Sequence, residues 1–161
     1  MDPITEFAFN INNELLAQAS LLLNNNLVFT VLVIAIVLFA ERRDSKRIKI
    51  FSALLIAFVF SIVLKSAFAV ERPCAQLGLD YCPGDYSFPS MHATIAFTLM
   101  VAFLNKRSFW VFMLFALFVS FSRLVIAAHS FADIAAALPV ALVSYYMIDV
   151  LWRRYFNEKG N

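Results

Sequence analysis

The chain has 161 residues, of which 62% are hydrophobic, 16% aromatic and 15% charged, with a formal net charge of +2. Soluble chains average roughly 45–50% apolar and about 25% charged, so a soluble domain of this length has no interior large enough to hide such a composition. Three glycines and five prolines exclude a flexible or low-complexity chain, and no nucleic-acid partner is expected.

The solvent is therefore a bilayer, and the polar residues fall in short blocks between apolar runs, which predicts one membrane domain over residues 1–161. Residues 1–25 place Phe7, Ile11, Leu15, Ala19 and Leu22 near helical spacing among Asn10, Asn12, Asn13, Glu14 and Gln18. That pattern predicts an amphipathic helix lying in the interface or a short spanning helix. Met1 to Ala40 holds no Lys or Arg, which argues against a cleaved signal peptide. Apolar runs of the length that crosses roughly 30 Å of hydrocarbon follow. They predict five transmembrane helices at about 26–40, 48–70, 89–104, 108–128 and 131–151. The expected fold class is all-α, a polytopic membrane helix bundle.

Cytoplasmic loops accumulate Lys and Arg near span ends. Arg42, Arg43, Lys46, Arg47 and Lys49 lie between the first two spans, Lys106 and Arg107 between the third and fourth, and Arg153, Arg154 and Lys159 after the fifth. These alternate loops share one side, which predicts an outer N-terminus and a cytoplasmic C-terminus. Three cations escape the rule: Lys65, Arg72 and Arg123. Each falls at or beyond an outer span end, where a cation near hydrocarbon costs a few kcal/mol unless paired or hydrated. The chain's two histidines, His92 and His129, map to the same side, with Ser90, Asp133 and the loop 71–88.

Cations, imidazoles, a hydroxyl and a carboxylate converging on one membrane face describe a site for an anion that undergoes chemistry, and phosphate suits it. Arg offers a planar fork that matches phosphate oxygens, while Lys adds a point charge. Phe88-Pro89-Ser90-Met91-His92 reads as a helix start, with Pro in the first turn and free N–H groups to point at an anion. His129 and Asp133 are four residues apart and would share a helix face, so Asp133 fixes one tautomer of His129 and leaves the other nitrogen as nucleophile or base. His92, on another helix, is then the acid and base. Each residue alone also has an ordinary role. Arg72 would snorkel to the interface, His129 and Asp133 would form a structural pair, and Ser90 would cap a helix. Their joint placement on one side favours the site.

These residues resemble the three-part signature of the type 2 phosphatidic acid phosphatase superfamily. Lys65-(six residues)-Arg72-Pro73 resembles its first motif, Pro89-Ser90-Met91-His92 its second, and Ser122-Arg123-(five residues)-His129-(three residues)-Asp133 its third. The resemblance implies a phosphatase that needs no metal or other cofactor. It implies that His129 is the nucleophile and forms a phosphohistidine, Asp133 orients it, and His92 is acid and base. Lys65, Arg72, Ser90, the Met91 backbone and Arg123 would hold the phosphoryl oxygens. Met91 stands where the family usually has Gly, but its N–H remains, so activity is expected. The reduced first crossing, residues 1–25, is expected to touch no motif.

The chain shows no domain for capturing a soluble ester, so the expected substrate is a membrane lipid phosphate or diphosphate. A polyprenyl diphosphate is favoured over phosphatidic acid or phosphatidylglycerophosphate, with the protein in the plasma membrane and the site facing outwards. Cys74 and Cys82 bracket the outer loop, either as a disulfide clamping Arg72 and the helix at Pro89 or as two free thiols. Glu71, Asp80 and Asp85 in that loop are expected to be solvated. A lipid phosphotransferase would share every residue named. An anion transporter would more often show broken helices, and a bis-His haem protein would not surround its ligands with three cations.

Overall fold

The computed structural model describes residues 1–157, and among them every regular element is helical. The elements are α1 (Pro3–Asn10), α2 (Glu14–Asn24), α3 (Asn26–Ala40), α4 (Asp44–Phe68), α5 (Pro73–Gln76), α6 (Met91–Ala102), α7 (Phe109–Val125) and α8 (Phe131–Trp152), closing with a π-helical turn at Arg153–Asn157. The bundle is organised around α6, which packs on α4, α7 and α8, while α4 and α8 pack on each other. These interfaces are built from alanines, with Ala53, Ala57, Ala93, Ala96, Ala116, Ala137 and Ala141 all fully buried. In a solvent as apolar as leucine, helices associate by close backbone approach, which small side chains permit. Leu99, Phe103 and Phe112 fill the core between them, yet many other large apolar residues face outwards, with Phe39, Trp110, Leu114 and Tyr146 exposed. An apolar surface outside an apolar core suits a membrane protein.

By length and apolarity, α4 and the helix running from Phe131 to Phe156 are able to cross a bilayer, and α2 with α3 passes the same test as a pair bent by 80°. The bend follows from consecutive asparagines. Asn25 leaves helical geometry, and its side chain accepts hydrogen bonds from the Leu27 and Val28 N–H groups to start α3. The expected N-terminal helix is likewise broken, because Asn13 caps α2 by accepting from the Leu16 N–H. Helices occupy all five expected spans, but three are short: α3 has 15 residues, α6 has 12 and α7 has 17. The helix α6 starts at Met91, not Pro89. Pro89 follows a cis peptide bond ahead of the helix, and Ser90 occupies the N-cap position, so the expected Pro in the first turn is not found.

The helix α4 ends on Ala69 and α7 is followed by Ala127, with positive φ of 48° and 50°. A left-handed alanine costs roughly 1–2 kcal/mol, and here it turns the chain sharply at the two places from which Arg72 and His129 enter. The second turn is anchored by the Ala128 N–H donating to the Arg123 carbonyl at 3.0 Å and the Cys74 N–H donating to the Ala127 carbonyl at 2.7 Å.

Candidate active site

His129 does not lie on α8 as the four-residue spacing suggested. It precedes the N-cap Ser130, whose hydroxyl accepts from the Asp133 N–H at 3.2 Å while the Asp133 carboxylate accepts from the Ser130 N–H at 2.7 Å. This reciprocal capping box points Asp133 back out of the helix end, so that its Oδ2 stands 3.5 Å from His129 Nδ1. Asp133 and His129 therefore meet around a helix start rather than along a helix face. The buried Ser87 completes the group: its hydroxyl donates to Asp133 Oδ2 and stands 3.4 Å from His129 Nδ1.

The other ring nitrogen, Nε2, is 3.0 Å from Arg72 Nη1. A guanidinium has donors only, so Nε2 must be the accepting nitrogen and the ring proton sits on Nδ1, towards Ser87 and Asp133. Burial, followed by the charges of Arg72 and Lys65, outweighs the contact with Asp133 and pushes the His129 pKa from 6.5 down to about 4. The imidazole is thus neutral near neutral pH, with its Nε2 lone pair directed at Arg72.

Arg72 is held in place by its Nη1 donating to the Ala128 carbonyl at 2.7 Å and its Nε donating to the Asp85 carbonyl at 2.9 Å. Lys65, on the last turn of α4, is buried and donates to the Tyr86 carbonyl. The loop carrying Asp85 to Ser87 is pinned by the Ser87 N–H donating to the Val70 carbonyl at 2.7 Å. Cys74 and Cys82 are joined by a disulfide, which closes the same loop beside α5. One acidic residue of this loop is not simply solvated as expected. The Asp85 carboxylate bridges the two cations, with Oδ1 2.7 Å from Arg72 Nη2 and Oδ2 3.0 Å from Lys65 Nζ. Burial opposes its ionisation, but Arg72 and Lys65 prevail and hold its pKa below the ordinary value.

At the start of α6, the Ser90 N–H donates to the Asp133 carbonyl at 3.1 Å, joining this helix end to that of α8. Ser90 Oγ and His92 Nε2 are both buried and have no hydrogen-bond partner among the described residues. Buried polar atoms are nearly always satisfied, so these two unpartnered atoms, two residues apart at the start of α6, are free to bind a polar ligand. The His92 ring packs on Phe29 with centroids 4.4 Å apart. Together with Met91 it lines one end of a cavity of about 610 Å³ that opens between α3 and α4, walled by Val33, Leu54 and Phe58. Met91 thus borders a largely apolar slot.

Arg123 is fully buried at the end of α7, and its guanidinium is held from the N-terminal segment. It donates to Asn24 Oδ1 at 2.9 Å and to the Ser20 carbonyl at 2.8 Å, besides the Ser122 hydroxyl at 3.0 Å. Residues 1–25 therefore do reach a motif, contrary to expectation. The helix α1 does so as well, since Thr5 Oγ1 accepts from the Phe131 N–H at 3.0 Å at the start of α8. Thus Lys65, Arg72, His129 and Asp133 form one contact network through Asp85 and Ser87, Ser90 adjoins it through the Asp133 carbonyl, His92 follows two residues on in α6, and Arg123 is fixed separately by α2. Ser87, Asp85 and Asn24 are the contributors that sequence reasoning missed. Among the described residues, no cluster of three or more His, Cys, Asp or Glu is placed to hold a metal ion.

Comparison with known proteins gives a consistent result. Residues 46–159 match the PAP2 superfamily, a stretch that includes every motif residue above. The chain is 27% identical over 137 residues to the Escherichia coli (strain K12) protein described as "Putative undecaprenyl-diphosphatase YbjG", covering 80% of this chain and 69% of that protein. Its fold is similar to the crystal structure of Aquifex aeolicus LpxE, with a TM-score of 0.71, 21% identity, and coverage of 91% of this chain and 93% of the other.

Proposed function

The chain belongs to the PAP2 superfamily, and from that membership we propose that it removes phosphate from a membrane lipid phosphate or diphosphate through a phosphohistidine at His129. The protein is a membrane phosphatase, a phosphate-ester hydrolase of the lipid phosphatase kind. The observation that carries the mechanism is the 3.0 Å contact of Arg72 with His129 Nε2, which puts an accepting lone pair and a phosphate-binding cation side by side.

In this reading the phosphoryl group enters over Nε2. Its oxygens are held by Lys65, Arg72, Arg123, the Ser90 hydroxyl and the Met91 N–H at the start of α6. Phosphoryl transfer asks chiefly for positioning and for charges around the equatorial oxygens, which three cations supply. The Nε2 lone pair forms the N–P bond as the bond from phosphorus to the leaving oxygen breaks, and His92 gives that oxygen its proton. Asp133 stabilises the charge that builds on the ring through Nδ1–H. Water then attacks phosphorus, His92 takes the water's proton, and the N–P bond breaks to release phosphate and restore the neutral imidazole.

The substrate's tail lies in the apolar slot between α3 and α4, which leads from hydrocarbon to His92 and supports a lipid over a soluble ester. Similarity to an Escherichia coli protein described as a putative undecaprenyl-diphosphatase supports a polyprenyl diphosphate over phosphatidic acid or phosphatidylglycerophosphate. Five helices cross the bilayer in this reading: α3, α4, α6, α7 and α8, with α1 and α2 lying along the interface. Basic residues at the far loops support a cytoplasmic C-terminus and a site on the extracytoplasmic face of the plasma membrane. The test is phosphate release by the purified, detergent-solubilised protein with EDTA present, comparing a polyprenyl diphosphate with phosphatidic acid. Release by the native chain and none by His129→Ala is expected. Phosphate transferred to a second lipid, with none freed, would make the protein a phosphotransferase instead.

A further inference from the structure

Some sixteen residues along α8 from Asp133, about 24 Å at the helical rise, a second cavity opens at the other end of the bundle. Its volume is about 800 Å³, and its walls bring together Lys46 and Lys49 of α4, Lys106 of the α6–α7 loop and Arg153 beyond α8, against two carboxylates, Glu41 and Asp149. Lys49 and Arg153 share Asp149, the latter at 2.9 Å, and Lys106 pairs with Glu41. Lys46 makes no ion pair among the described residues. Three cations are thus fixed by two carboxylates and a fourth stands free, which leaves two uncompensated positive charges in one recess. Apart from Asn105 and the tyrosines Tyr145 and Tyr146, the rest of the wall is aliphatic, and its Leu104, Leu142 and Val143 are exposed.

We propose that this recess is a binding site for an anionic phospholipid of the leaflet opposite the one that His129 faces. The excess positive charge matches a phosphodiester headgroup, and the exposed leucines and valine match its acyl chains. A free anion would use the first and have no need of the second. Basic recesses between helices at a membrane surface take anionic headgroups for the same reason. The lipid wedges between the ends of α4, α6 and α8, the three helices that also carry Lys65, Ser90 and Asp133 at their other ends, so it braces the bundle from the far side. This site is independent of the phosphatase reading, because what is measured is binding and not turnover.

The test is native mass spectrometry of the full chain in neutral detergent, with equimolar dioleoylphosphatidylglycerol and dioleoylphosphatidylcholine. The native protein retains the anionic lipid preferentially. Lys46 is exposed and the Arg153 side chain is 73% exposed, so both tolerate substitution. Each surface cation contributes roughly fivefold to binding an anionic lipid, so Lys46→Gln with Arg153→Gln lowers the preference about 30-fold. The charge-conserving pair Lys46→Arg with Arg153→Lys restores it. No preference in the native protein overturns the proposal. A preference that survives the glutamine pair also overturns it, by placing the lipid at the Arg72 cradle. Displacement of the lipid by excess inorganic phosphate overturns it too, as the mark of a free-anion site.

Discussion

In the proposed site Asp85 occupies donors of Lys65 and Arg72 that a phosphate would use, so Asp85→Asn is expected to tighten binding rather than weaken it. Its carboxylate contacts Lys65 Nζ at 3.0 Å and Arg72 Nη2 at 2.7 Å, and its side chain is 53% exposed. Ion pairs with that much solvent contribute about 0.2–1 kcal/mol each. The two together therefore hold the cradle shut by about 0.4–2 kcal/mol, a factor of roughly 2 to 30 in an equilibrium constant. Removing a negative charge beside an incoming phosphate acts in the same direction. Asparagine keeps the loop intact, because the Arg72 Nε bond runs to the Asp85 backbone carbonyl. The assay is steady-state phosphate release in micelles, with inorganic phosphate as competitive product inhibitor. KM for the lipid and Ki for phosphate should both fall by a factor within that range. A raised KM, or an unchanged Ki, would show that the carboxylate positions the cations for substrate and does not compete with it.

Three further outcomes test separate parts of the structure. In His92→Gln, His129 is the chain's sole imidazole, and its nitrogen-15 spectrum should show the Nδ1–H tautomer, neutral at pH 6 and gaining charge only as pH falls towards about 4; titration near 6.5 would contradict the buried, cation-flanked environment. Asn24→Leu removes an acceptor from the buried Arg123 guanidinium. It should cost about 1–3 kcal/mol of stability and reduce turnover, as measured by thermal unfolding and phosphate release. Lys106→Ala leaves the buried Glu41 without its partner at the far end of the bundle, so the unfolding midpoint should drop while turnover per folded molecule is unchanged. Because Lys106 is about one-third exposed, the loss should be nearer 1 kcal/mol than the 3–5 kcal/mol of a fully buried pair.

Much of this site was legible because charge in a membrane chain is scarce. Lys65, Arg72 and Arg123 stood out as the cations left over from the loop rule, and the histidines joined them without any knowledge of the fold. Helix positions were legible for the same reason, and the α3 boundaries, Asn26–Ala40, agree with the apolar run. What was not legible depends on contacts that no local pattern encodes. Asn24 meets Arg123 across 99 positions, and Ser87 meets Asp133 across 46. The His129–Asp133 spacing suggested the right pair for an incomplete reason, since a capping box and not a shared helix face brings them together. Asp85 resembled any loop carboxylate until the turn at Ala69 and the loop anchored at Val70 laid it across two cations. The helix α6 starts two residues after the apolar run does, because hydropathy does not distinguish a proline inside a helix from one in the loop before it.

The most direct test of the central claim is to look for the phosphohistidine itself. The native protein, mixed with a phosphorus-32-labelled polyprenyl diphosphate and quenched in alkali within the first turnover, should carry label that is stable to base and lost in acid. Peptide mapping should place it on His129, and His129→Ala should carry none. Turnover that proceeds with no alkali-stable label, or with label on His92, would contradict the assignment of His129 Nε2 as the attacking atom.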